Sequence, residues 1–144
     1  SASTCDPMAL RSRSRRFETH PLVSGWMVNG TRVVASVNIA STPKDRRVGM
    51  KAFPDASMPL VIQPCNWVHS FGMKFPIDVV YLDADNLVLE ITPLRPNRMS
   101  HPRRRAVRVV ETAPGAMKHW GVAVGDVLTF RAAELPTERG RTSR

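Results

Sequence analysis

A chain of 144 residues, 42% of them hydrophobic, has the length of one domain and can bury a core without metals or disulfides. Its longest apolar runs, such as Val79–Leu82, span about four residues, against the roughly 20 that a membrane-crossing helix needs, so no helical span is expected. The net charge of +9 is clustered, in Arg11, Arg13, Arg15 and Arg16 and in the acid-free stretch 95–108 with Arg95, Arg98, Arg103, Arg104, Arg105 and Arg108, a pattern that can steer acidic partners.

In chain order, residues 1–22 are basic, Ser-rich and without sustained period, and read as a disordered tail. They contain no apolar core of a signal peptide, so a cytoplasmic location is the default expectation. The folded unit is expected over 23–135, with 136–144 a second tail. Asn29-Gly30 lies between apolar runs and predicts a type I′ hairpin turn. Beyond it Val33, Ala35, Val37 and Ile39 share one strand face. Thr42, Pro43 and Asp45 have the spacing of an N-cap, a first helical Pro and an acidic third position, so a short helix is predicted up to Gly49–Met50.

Strands are predicted at 59–63, 66–70, 77–83 and 87–92. The turn Asp83-Ala84-Asp85-Asn86 joins the last two, with Asn86 at positive φ. Leu87, Leu89 and Ile91 are expected on one face, with Val88, Glu90 and Thr92 on the other. After the Arg-rich loop, 106–112 reads as a strand. The stretch 113–121 reads as one or two helical turns closed by Gly121, and a last strand places Leu128, Phe130 and Ala132 inward. Seven or eight short strands with two short helices predict a mainly β domain, a small sandwich or barrel. There is no Gly-rich phosphate loop, no Cys or His spacing of a zinc site, and no cofactor is implied. Cys5 and Cys65 could pair only between the tail and the domain.

Chemistry concentrates in "WVHSFGMKFPIDVVYLD", Trp67 to Asp83. If 65–69 and 78–82 pair as antiparallel neighbours, one register sets His69 opposite Asp78, with Trp67 on the same face. A binding lip would then comprise His69, Asp78, Trp67, Phe71, Met73, Phe75 and Asp83. The plainer reading is a His–Asp bond that fixes a wide hairpin, or an Asp78 that caps backbone amides of its own loop. A hydrolase triad fits poorly: Ser70 faces away from His69, and Cys65 lies four residues along. Catalysis would need a third polar group such as Ser100, His101 or His119. A metal site drawing on His69, Asp78, Asp83, His101, His119 and Asp126 lacks motif spacing.

Three stretches in this order, "STPKDRRVGM", "VHSFGMKFPIDVVYLDADNLVLEI" and "VVETAPGAMKHWGVAVGDVL", resemble the bacterial and archaeal domain of unknown function numbered 192. The likeness runs from about Val33 to Phe130. Its most specific pieces are Pro76-Ile77-Asp78, Leu82-Asp83, Pro114-Gly115 and Gly125-Asp126. Where many members carry Trp-Met-Lys-Asn-Thr, this chain has His69-Ser70-Phe71-Gly72-Met73, which resembles a second branch. The resemblance implies a compact, mainly β fold and no particular reaction, and an envelope or pilus accessory role only by association.

The reading preferred from the sequence is a non-enzymatic, monomeric binding or accessory domain. The lip at His69 and Asp78 would meet a small ligand or partner segment, and Arg95–Arg108 would steer an acidic partner. A hydrolase centred on the same pair, and nucleic-acid binding through the Arg loop, are the alternatives. The second is disfavoured because no aromatic platforms are interleaved with the arginines.

Overall fold

The computed structural model describes residues 22–133. The expected tails, apart from Leu22, and Cys5, His20 and the Arg11–Arg16 cluster lie outside them. Seven strands form: β1 Val23–Asn29, β2 Arg32–Ala40, β3 Leu60–Ile62, β4 Ile77–Leu82, β5 Val88–Leu94, β6 Arg108–Thr112 and β7 Leu128–Ala132. Two short helices accompany them, α1 Pro43–Val48 and α2 Ala116–His119, with a 3-10 turn over Gly49–Ala52. The expected mainly β fold is therefore present. It is one seven-stranded sheet in the order β5-β4-β6-β3-β2-β1-β7, antiparallel except for the β2–β3 pair. The sheet is not closed by a ladder. Its outer strands approach at one corner, where Leu87 bridges Val127, Val88 N donates to Asp126 O (2.8 Å) and Leu128 N to Asn86 O (3.0 Å).

Local chemistry explains the elements. Thr42 caps α1 by accepting from Asp45 N, Pro43 occupies the first turn, and Gly49 ends the helix at φ 56°, as the spacing predicts. The Asp83–Asn86 turn holds Asn86 at φ 65°, also as expected. The first hairpin differs from its prediction. Asn29 pairs with Arg32, so Gly30 and Thr31 are the central residues. Gly30 alone has positive φ, at 69°, which excludes type I′, since that turn needs both.

The stretch 66–70 is not a strand. It makes one isolated bridge, from His69 to Met99, which lies in no strand, and bonds its backbone to the 97–103 loop. The buried Ser70 hydroxyl donates to Arg95 O (2.5 Å) and accepts from Arg98 N (2.9 Å), and such side-chain bonds replace a ladder.

Alternation along the strands divides the core between the two faces of the sheet. One cluster takes Leu60, Ile62, Val79, Tyr81 and Val109, together with Met50, Val68 and Met73. The other takes Val37, Ile39, Val61, Val80, Leu82 and Val110, together with Met117 of α2. In β5 the predicted face assignment fails at a bulge. Val88 pairs with Leu82 and Glu90 with Tyr81, leaving Leu89 as the extra residue. Leu89 joins the first cluster while Val88 and Ile91 join the second.

Candidate functional site

The sheet order corrects the proposed register first. β4 pairs with β5 and β6, and Asp78 sits between Pro93 and Thr112, so it has no antiparallel partner in 65–69. Asp78 has the parity of Val80 and Leu82 and belongs to the α2 face. Its Oδ2 accepts from Gly115 N at 2.8 Å, across the connection from β6 to α2. His69 lines a pocket with Glu111, Ile62 and Val68, on the face of the first cluster. The pleat therefore sets His69 and Asp78 on opposite sides of the sheet.

At His69 the chain forms a short ladder of rings. The imidazole stacks on Phe71 with centroids 5.1 Å apart and planes 21° apart, and the Trp67 ring lies 6.3 Å away, tilted by 49°. Phe71 N donates to His69 Nδ1 (3.2 Å). The neutral ring therefore carries its proton on Nε2. Phe71 is 40% exposed and Met99 56%, while Met73 is buried, and Trp67 and Phe75 are half-buried against the core. Gly72, at φ 83°, closes the loop by donating to Asn97 Oδ1 (2.9 Å). A Cβ at that glycine would lie 3.5 Å from Lys51 Cδ, so the tip of the lip rests on the 3-10 turn.

Behind the ladder is a small open pocket lined by Arg46, Arg47, Lys51, His69, Met73 and Glu111, among others. Its interior volume is about 10 Å³, room for roughly one water. Glu111 comes from β6, where the parity that buries Val109 also turns it inward; it is 3% exposed. Burial pushes its carboxyl up to about 7, opposed by a hydrogen bond from Met50 N. Its Oε1 is buried and meets no partner among the described residues, and the same is true of Arg46 Nε. The Arg46 Nη1 donates to Ser41 O (2.5 Å), which anchors the side chain at the start of α1. Sequence reasoning passed over Glu111, Arg46, Arg47 and Lys51. The available signal was a lone acid at an inward position of an apolar strand.

The remaining expected residues go elsewhere. Asp83 Oδ1 accepts from Asp85 N (2.8 Å) and Leu87 N (3.0 Å). The Leu87 N–H above all, then Asp85 and Arg105, hold its carboxyl below the usual range. In the Arg loop, Arg103 forks onto Glu90 with bonds of 2.9 and 2.8 Å and covers the Tyr81 ring at 4.4 Å. Arg108 donates to Gln63 Oε1 (3.0 Å) and to Asn86 Oδ1, and Arg105 lies 3.7 Å from Asp83. Arg95, Arg98 and Arg104 are exposed. Ser100 brackets Val68, its N donating to Val68 O and its Oγ accepting from Val68 N. His119 is on α2 and His101 is exposed. Among the described residues no three of His, Cys, Asp and Glu converge as a metal site, and no helix is long and apolar enough to cross a membrane. Cys65 is disulfide-bonded, and its partner lies outside the described residues.

The model of the DUF192 family, described as an uncharacterized ACR, matches residues 26–130. A UPF0127 protein of Pyrococcus abyssi is 41% identical over 59 residues, 41% of this chain and 50% of that protein. One of Thermococcus sibiricus is 30% identical over 104 residues, 68% of each. The chain spans about half the length of the Pyrococcus relatives that it matches. Two solved structures share the fold. One, from Sinorhizobium meliloti and provisionally assigned as a transcription regulator, has TM-score 0.64 at 16% identity, over 78% of this chain and 98% of that one. The other, of unknown function from Novosphingobium aromaticivorans, has TM-score 0.60 at 13% identity, over 90% and 97%.

Proposed function

Since this chain belongs to the DUF192 family, whose description names no reaction, we propose a role that needs none: a binding domain that holds a small ligand at the lip around His69. The ligand lies across the ladder of Trp67, His69 and Phe71 and reaches into the pocket behind it. One observation carries this reading. A pocket open to solvent is lined by a buried carboxyl with an oxygen that the described residues leave unpartnered, and buried polar groups are otherwise almost always bonded. Met73 and Phe75 support the lip from below. Asp78 and Asp83, by contrast, spend their oxygens on backbone N–H groups, so their part is to hold the frame. The exposed Arg95, Arg98 and Arg104 favour acidic ligands by long-range attraction.

The test is a titration of the full chain, followed by amide NMR, with a fragment panel of carboxylates, phosphates, amines and neutral aromatics. Shifts should gather at 67–73 and 46–51. His69→Ala should weaken binding by tenfold or more while moving Tm by no more than about 2 °C, the scale of a surface substitution. Shifts scattered over the sheet, or a His69→Ala variant that binds as well as the parent, would refute the lip.

A further inference from the structure

The charges on this pocket form an unusual set. Arg46 and Arg47 come from α1, Lys51 from the 3-10 turn and His69 from the lip, while Glu111 comes from β6 beneath them. Tyr81 of β4 also feels Glu111 through space. Three fixed cations at the wall exclude a cationic ligand and attract an anion. An ionised Glu111 would repel that anion at short range, so the two demands conflict unless the acid carries a proton. A protonated carboxyl is a hydrogen-bond donor, and its Oε1 has nothing else to bond among the described residues. The room available is about that of one water, so the pocket admits a single oxygen of the ligand's charged group.

We propose that the pocket receives the carboxylate of a small ligand and that Glu111 enters the complex protonated, donating to it. This rests on the reading that the lip binds a ligand, and it adds the ligand's class and a coupled proton. The ligand arrives ionised, the proton comes from solvent, and no covalent bond changes. Arg46, Arg47 and Lys51 balance the ligand's charge, and Glu111 measures whether the solution is acidic enough to admit it.

The experiment uses sodium acetate as the probe, with sodium phosphate and methylammonium chloride as comparison arms at constant ionic strength, followed at the amides of Gly49 and Met50. The pH series compares the natural chain with Glu111→Gln. With Glu111 ionising near 7, acetate affinity should fall roughly 20-fold between pH 6.5 and 8.5. In Glu111→Gln the fall should shrink to less than about twofold. As a check that needs no Glu111 variant, calorimetry of the natural chain at pH 7.5 in buffers of different ionisation enthalpy should show uptake of about 0.8 proton per acetate. Absence of saturable acetate binding, tighter binding of phosphate or methylammonium than acetate, an unchanged pH dependence in Glu111→Gln, or no proton uptake each overturns the proposal. If the fragment panel still maps to the lip, that failure leaves the binding domain standing and removes only the carboxylate and its proton.

Discussion

Two faces of one sheet treat their acids in opposite ways. On the α2 face, Asp78 accepts from Gly115 N. At the corner where the outer strands meet, Asp126 Oδ2 accepts from Ala123 N and the Asn29 side chain. Both carboxylates are half-buried, Asp78 near the start of β4 and Asp126 at a turn, and each satisfies donors of a neighbouring turn or side chain. On the other face Glu111 is buried in mid-strand with one N–H, that of Met50, to stabilise its charge. The lesson is that an acid's surroundings decide whether it is a fastener or a proton site. Donors supplied by turns favour the charged form, and an apolar wall favours the neutral one.

The largest expected effect tests the Glu111 half of that contrast. A carboxyl whose folded pKa lies above its unfolded value stabilises the fold fully below the unfolded pKa. That contribution is lost as pH rises through the folded one. For Glu111 the window runs from its ordinary value of 4.5 to about 7, and its full depth is about 3 kcal/mol at 1.36 kcal/mol per unit. Urea titrations should therefore show stability falling from pH 5 to pH 8, and Glu111→Gln should flatten that slope. A parent whose stability is level across this range would erase the distinction. Next in size is Asp126→Ala, which strips two hydrogen bonds from the corner and should cost about 2 kcal/mol. Because that role rests on two accepted hydrogen bonds, Asp126→Asn, which keeps an acceptor oxygen, should cost less than Asp126→Ala; equal losses would show that these bonds do not hold the corner.

Much of this frame is legible in the sequence, because much of it is local. Thr42, Pro43 and Asp45 specify α1 within four residues, and Asp83 to Asn86 specify a turn by the bonds of Asp83 to its own neighbours. The pairing partners are not local. β6 follows β5 in sequence yet inserts between β4 and β3, which no periodicity announces. That insertion gives Asp78 the neighbour Thr112 on one side, with Pro93 of β5 on the other, in place of His69. The bulge at Leu89 reverses the faces of β5 for a similar reason: an extra residue is visible only against its partner strand. Glu111 was hidden because an acid beside Thr112 and Ala113 reads as a strand end, and only the packing of Met50 over it makes it a buried group.

A smaller effect tests Asp78 itself. Asp78→Ala removes the acceptor for Gly115 N, and losing a capping bond of this kind should cost about 1 kcal/mol. If His69 and Asp78 lie on separate faces, the two side chains do not couple. The double variant His69→Ala with Asp78→Ala should then lose the sum of the single losses within about 0.5 kcal/mol. A coupling of 1 kcal/mol or more would restore the pair that the register argument separates.

The smallest expected effect concerns the acid that a guanidinium forks onto. Glu90 receives a fork from Arg103, but its side chain is 44% exposed and that of Arg103 is 21%. Arg103 holds its carboxyl below the usual range, so this contribution is present above the unfolded pKa and is lost as pH falls through the folded one. That sign is opposite to that of Glu111. Solvent screens a pair this exposed, so Glu90→Gln should cost only about 0.5 kcal/mol at neutral pH, and less in 1 M salt. Arg103 should not swing free in the variant, because its guanidinium also covers the Tyr81 ring and donates to His101 O. The Arg loop should thus keep its path after Glu90→Gln, and amide shifts should stay confined to residues near Glu90 and Arg103. Shifts running through 95–105 would show that the ion pair, and not the ring and backbone contacts, holds the loop. Stability that rises with pH through Glu90 and falls with pH through Glu111 would leave a maximum between the two titrations, and the position of that maximum reports which acid dominates.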